Sequence, residues 1–186
     1  FSVTFRVNTQ AGGTTTITLY SHYSLLTTHF YILSSITLLS PQSGIIGTIL
    51  TIQGSGQKAT LYISFGTHQT IRTTIASQNG TFSVTFRVNT QPGGTAIITV
   101  KNSSLATTCF YILSSITLLS PKSGIVGTIL TIQGSGQKNT LYISFGTNET
   151  ITTTLSSNNG TFSATFRIDT QVGGTTVITI RNSSIS

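Results

Sequence analysis

Acidic residues are almost absent from this chain. Of 186 residues only Glu149 and Asp169 carry a carboxylate side chain. Histidine occurs three times (His22, His29, His68), cysteine once (Cys109), and tryptophan and methionine not at all. Proton-transfer chemistry and hard-metal binding rely on clustered carboxylates or imidazoles. Here there are too few to cluster, so the composition argues against an enzyme and implies neither cofactor nor metal. No apolar run approaches the ~20 residues of a membrane-spanning helix. No stretch reads as a signal peptide, although a leader removed in processing or lying outside this segment fits an exported protein. A single cysteine builds no internal disulfide framework.

Basic residues number nine, for a net charge of +7. An excess of positive charge raises nucleic acid as a partner. Arg6, Lys58, Arg72, Arg87, Lys101, Lys122, Lys138, Arg167 and Arg181 are dispersed, however, with no basic stripe and no interleaved aromatics. The expectation is no nucleic acid, with the cations keeping a carboxylate-poor surface soluble. Abundant Thr and Ile favour pleated strands. Charged residues make up 6 % of the chain against 37 % hydrophobic, a balance that opposes disorder.

Internal repetition is the dominant signal. FSVTFRVNTQ at Phe1 recurs at Phe82 and returns as FSATFRIDTQ at Phe162. The run from Phe30 to Lys58 recurs at Phe110 with two changes, Gln42 to Lys122 and Ile46 to Val126. The period of 80 to 81 residues is that of a small domain rather than a solenoid turn. Cys109 stands where the preceding copy has His29, so the fold does not require a thiol there, and a buried or half-buried free thiol is expected.

Within the central unit, strands are expected at Ile116–Pro121, Thr128–Ile132, Leu141–Phe145 and Thr150–Leu155. Lys122–Gly124 reads as a turn and Gln133–Gln137 as a loop. Asn159-Gly160, like Asn79-Gly80, lies between alternating runs and signals a hairpin. Phe162, Ala164, Phe166 and Ile168 share one face of the next strand, Ser163, Thr165 and Arg167 the other. Further strands are expected at Thr175–Ile180 and at the FYIL element of Phe30 and Phe110. Roughly seven short strands in about 80 residues argue for a sandwich, since an apolar sheet face needs a second sheet over it. The expected fold is therefore all-β: tandem immunoglobulin-like β-sandwiches of about 80 residues per repeat. Residues 1–34 read as the last three strands of a partial repeat, 35–114 as a complete repeat, and 115–186 as a repeat lacking its last strand. The short Leu113–Ser115 connection favours a stiff array.

Ile36-Thr-Leu-Leu-Ser-Pro41, Ser43-Gly44, Gly47-Thr48, Leu50-Thr-Ile52, Gly54-Ser-Gly56 and Tyr62-Ile-Ser-Phe-Gly66 together resemble the IPT/TIG type of immunoglobulin-like domain. The second copy carries the pattern again from Ile116 to Gly146. The resemblance covers the front half of each unit and implies a sandwich used in stalks, adhesin spacers, surface layers or enzyme appendages. Gln57 and Gln137 depart from it, standing where the family often has an aromatic residue.

Other motifs carry little chemistry. Gly54-Ser-Gly-Gln-Lys58 lacks the spacing of a phosphate-binding loop and precedes a strand rather than a helix. Glu149, Asp169 and His68 align with Gln69, Asn89 and Asn148, so no catalytic set recurs between repeats; the same lack of repeated acids disfavours an isopeptide crosslink. Five N-x-[S/T] sequons, at Asn79, Asn102, Asn148, Asn159 and Asn182, are candidate N-glycosylation sites on turns or strand ends. The functional expectation is a structural subunit of an extracellular filament or cell-surface layer, self-associating and with strand exchange between neighbours at the incomplete sandwich. The alternative is an adhesin stalk or carbohydrate-binding module. It would need exposed tyrosines among Tyr20, Tyr23, Tyr31, Tyr62, Tyr111 and Tyr142, of which the two pairs Tyr31/Tyr111 and Tyr62/Tyr142 are expected to pack within strands.

Overall fold

The computed structural model describes residues 2–8 and 10–182 and, among these, contains strands and turns but no helix. It divides into two compact units: Phe1–Gln42, Ile49–Arg87 and Ala96–Phe110 form one, Ser43–Thr48, Val88–Thr95 and Tyr111–Ser186 the other.

The first described strands, β1 (Gly13–Ser21) and β2 (Ser24–Ile32), form an antiparallel hairpin. The first full repeat follows as β3 (Ser35–Ser40), β4 (Ser43–Gly44), β5 (Ile49–Ser55), β6 (Thr60–Phe65), β7 (His68–Ile75), β8 (Thr81–Arg87), β9 (Gly94–Lys101) and β10 (Leu105–Ile112). They make two sheets, in the orders β3-β5-β8 and β4-β10-β9-β6-β7. Alternation sets the faces: β5 and β8 each place every second side chain inward. Leu50, Ile52, Leu61, Ile63, Phe65 and Ile98 are completely buried. The Phe65 ring on β6 lies 5.6 Å from Phe86 on β8 of the other sheet and 5.9 Å from Phe110 on β10. The repeat is thus a sandwich with an aromatic centre, as the sequence predicts.

The second repeat comprises β11 (Ser115–Ser120), β12 (Ile129–Ser135), β13 (Thr140–Phe145), β14 (Asn148–Leu155), β15 (Thr161–Arg167) and β16 (Ile178–Arg181), in sheets β11-β12-β15 and β14-β13-β16. Leu130, Ile132, Leu141, Ile143, Phe162 and Phe166 are buried in its core, and Phe145 meets Phe166 across the sheets at 5.8 Å.

The structure corrects three sequence-based expectations and distinguishes the two repeats at a fourth place. Residues 2–8 form no strand, so the N-terminal portion shows two strands, not three. The same sequence from Phe82 lies in β8, where β5 beside it completes its ladder. Lys122–Gly124, expected as a turn, is non-strand, whereas the equivalent Ser43–Gly44 of the first repeat is a short strand paired in parallel with Tyr111 and Ile112 of β10. Gln133 to Ser135 continue β12 instead of looping, pairing with Ser163, Phe162 and Thr161. The strand expected over Thr175–Ile180 is confined to Ile178–Arg181, whereas its counterpart β9, flanked by β10, spans Gly94–Lys101.

Candidate functional site

The most elaborate polar geometry lies where one repeat's loops meet the base of the next, and it occurs twice. In the first unit the Gly12 amide donates to the Gly56 carbonyl at 2.9 Å, and the Gly56 amide donates to Gly80 at 2.7 Å. The Gln57 Nε2 donates to the Tyr31 hydroxyl at 2.8 Å. Tyr31 also bonds the Ser103 hydroxyl at 3.2 Å. In the second unit Gly93 donates to Gly136 at 2.9 Å, Gly136 to Gly160 at 2.8 Å, and the Gln137 Nε2 to the Tyr111 hydroxyl at 3.4 Å. The two glycine backbone bonds and the glutamine–tyrosine bond thus recur 80 or 81 residues on.

Glycine is needed at these contacts for space. A Cβ on Gly93 would lie 3.1 Å from the Gly136 carbonyl carbon and 3.2 Å from the Gln137 nitrogen; one on Gly12 would lie 3.2 Å from the Gly56 carbonyl carbon and 3.1 Å from the Gln57 nitrogen. Gln57 and Gln137 have a structural role here: the side-chain amide at this position reaches the tyrosine hydroxyl of the adjoining strand. Beneath the first junction, the Ser34 hydroxyl bonds Ser104 at 2.6 Å and the Ser34 amide bonds the same hydroxyl at 3.0 Å. Ser34 itself is buried.

Tyr31, Tyr62 and Tyr111, expected to pack, are 42 %, 48 % and 45 % exposed. Their rings lie on the outward phase of their strands, and Tyr31 and Tyr111 are held by the junction glutamines. Tyr20 and Tyr23 are more exposed still, with His22 edge-on to Tyr23 at 4.8 Å. Cys109, expected buried or half-buried, is exposed: on β10 the inward positions fall to Ala106, Phe110 and Ile112, and Cys109 lies on the opposite face.

The five sequons differ in geometry. Asn79 and Asn159 are exposed in equivalent turns. Each Oδ1 accepts from the sequon threonine, Thr81 or Thr161, through its hydroxyl at 2.8 Å and through its amide at 3.3 and 3.2 Å. Ser77 and Ser157 also donate to these oxygens. Both Nδ2 groups therefore sit on ordered, solvent-facing turns. Asn102 is different: its Oδ1 accepts from the Ser104 amide at 3.0 Å, while its Nδ2 is shut away from solvent without a partner. Asn148 begins β14 and is half-buried. Asn182 is exposed, and its sequon continues into residues outside the described ones.

Among the described residues no group of three or more His, Cys, Asp or Glu could hold a metal. Asp169 is exposed and accepts from the Thr170 amide at 3.0 Å, and the Glu149 side chain lies outside the described ones. Gly54-Ser-Gly-Gln-Lys58 leads from β5 into β6, without the helix a phosphate loop requires. Among the described residues no helix is long and apolar enough to cross a membrane.

No protein-family model matches the chain, and no curated protein matches it. Among solved structures it is similar to a chain described as "Biofilm associated protein - BSP domain", with 20 % identity and a TM-score of 0.28, over 78 % of this chain and 26 % of that one. The chain therefore spans about a quarter of that structure's length.

Proposed function

We propose that this chain is a structural component of an extracellular filament or cell-surface layer, built from sandwiches of the IPT/TIG immunoglobulin-like type, and that its role is mechanical rather than catalytic. The observation that carries this reading is the junction made twice by equivalent residues. Its two sides differ: Gly56, Gln57 and Gly80 form a base, while Gly93, Pro92 and Tyr111 of the same repeat form a cap. A contact between unlike surfaces is heterologous, and heterologous contacts that do not close into a ring propagate as open arrays. The bonds across the junction run between backbone amides and carbonyls or between neutral side chains, which suits a load-bearing contact outside the cell.

Electron microscopy of the native material tests the proposal. Long filaments or sheets with an axial period of about 40 Å per repeat, or twice that, are expected from strands near 20 Å plus tilt and loops. Discrete particles, or thin stalks tipped by a separate head, would favour the adhesin reading instead.

We propose further that Asn79 and Asn159 are the glycan acceptors among the five sequons, being exposed on equivalent turns with Nδ2 uncommitted. Glycopeptide mapping of the native protein should find sugar at both and none at Asn102. Sugar on Asn102, or none at Asn79 and Asn159, would refute the assignment.

A further inference from the structure

We infer that Asn79-Gly80 and Asn159-Gly160 are latent deamidation sites that the junctions keep closed, so that a junction which opens is recorded chemically at the asparagine beside it. The inference concerns chains that carry no sugar at these residues, and it holds for any assembly the repeats serve.

The chemistry is intrinsic to the dipeptide. The glycine nitrogen attacks Cγ of the asparagine side chain, the Cγ–Nδ2 bond breaks, and ammonia leaves with the amide proton. Water then opens the cyclic imide at either carbonyl, giving aspartate or isoaspartate. Glycine permits this most readily, since no side chain screens its nitrogen or restricts its backbone. These are the two Asn-Gly pairs of the chain, and both asparagines face water.

The turn holds both reacting groups. The Gly80 amide donates to the Ser77 carbonyl at 2.9 Å and the Gly160 amide to the Ser157 carbonyl at 2.8 Å, so the attacking nitrogen has its proton committed rather than open to base. Each asparagine Oδ1 is pinned by the hydroxyl and amide of Thr81 or Thr161 and by the hydroxyl of Ser77 or Ser157. Cγ reaches the glycine nitrogen only after those bonds break.

The junction adds a second restraint, on the glycine itself. Gly80 and Gly160 are buried. The place of a Cβ on Gly160 is taken by the Pro92 Cα, and that on Gly80 by Ala11. The Gly80 and Gly160 carbonyls accept from Gly56 and Gly136 at 2.7 and 2.8 Å. The glycine is therefore held between its own turn and the cap loop, and the rotation that closes the ring requires the cap to withdraw. Isoaspartate, once formed, inserts a methylene into the main chain immediately before the glycine and displaces the carbonyl that takes the junction bond. It also adds a carboxylate to a chain with only two acidic residues.

The test uses the full chain made in a host that does not glycosylate it. The protein is incubated in mildly alkaline buffer, and asparagine, aspartate and isoaspartate peptides are separated and counted by mass spectrometry. Both sites should deamidate about 100-fold more slowly in the folded protein than in guanidinium chloride. Thr161→Val removes the hydroxyl lock, and Gly93→Leu forces the cap away from Gly136 while leaving the turn sequence intact. Each should quicken deamidation at Asn159 by about tenfold, with Asn79 in the same molecules unchanged and the β-sheet circular dichroism retained. Equal rates in folded and denatured protein would overturn the inference. An unchanged rate at Asn159 in Gly93→Leu would remove the junction from it, and a rise shared equally by Asn79 would show that the junctions do not guard their own turns.

Discussion

Alanine at Gly134 lowers the melting temperature of the second sandwich steeply, because there is no volume for a methyl group. A Cβ at this position would overlap the Ser115 carbonyl oxygen and lie 2.6 Å from Cζ of Phe162. Both obstacles are fixed. Ser115 begins β11, whose pairing with β12 shifts register between Ile116 and Leu118, and Phe162 is 6 % exposed in the core. The glycine sits opposite an irregularity in the ladder, where two backbones approach closely. Relief would require moving a strand or expelling an aromatic ring, and overpacking of this kind costs about 3 kcal/mol. For a domain of this size that corresponds to a fall of roughly 10–20 °C, readable by thermal circular dichroism. Gly54→Ala should do the same to the first sandwich, where the Ser35 carbonyl and the Phe82 ring occupy the equivalent space. Gly173→Ala provides the contrast: a Cβ there meets nothing within 4 Å, so no loss is expected. Equal melting temperatures for Gly134→Ala and Gly173→Ala would show the steric account to be wrong.

The second large effect is expected at Gly160, and it falls on the junction. Gly160 adopts φ +79°, a left-handed conformation that costs a side-chain-bearing residue about 1–2 kcal/mol. Its Cβ would also lie 2.5 Å from the Pro92 Cα and 2.7 Å from the Gly136 carbonyl oxygen. In Gly160→Ala the turn must distort and the loop bearing Pro92 must withdraw, taking with it the Gly93–Gly136 hydrogen bond. Combined, the strain and the clash amount to about 3 kcal/mol, so amide exchange at Gly93 and Gly136 should quicken by about 100-fold, with the strands of the core less affected. Unchanged protection at those two amides would mean that the contact bears no energetic weight. Gly80→Ala, at the same φ and pressed against Ala11, is the matching experiment on the first junction.

The parts of this architecture that were legible in the sequence are those encoded locally. The alternation of Phe162, Ala164 and Phe166 against Ser163, Thr165 and Arg167 maps directly onto the buried and exposed positions of β15. The Asn-Gly dipeptides mark the turns before β8 and β15. What could not be read depends on a partner distant in the chain. FSVTFR is a strand at Phe82 and none over residues 2–8; Ser43–Gly44 is a strand and Ser123–Gly124 is not; β9 is twice as long as β16. In each case near-identical residues differ in state, and the copy that is a strand, or the longer one, has an adjoining strand among the described residues. The junction was hidden for a related reason: Gly12 and Gln57 look like ordinary loop residues until the fold sets Gly12 on Gly56 and Gln57 on Tyr31. The one sequence trace of it is that the Gly-Gly doublet occurs three times and the Gly-Ser-Gly-Gln run twice at the repeat spacing. Cys109 is exposed because the inward phase of β10 falls on Ala106, Phe110 and Ile112, a phase that residue type alone does not reveal.

Because base and cap belong to one repeat, copying a stretch of about 80 residues copies a complete connector together with its socket. A newly inserted repeat fits the units before and after it without any compensating substitution. Length can then change in whole-repeat steps by recombination between near-identical segments of a gene, each product being competent to fold at once. A protein of this design would vary among its relatives in the number of its repeats more readily than in the residues that join them.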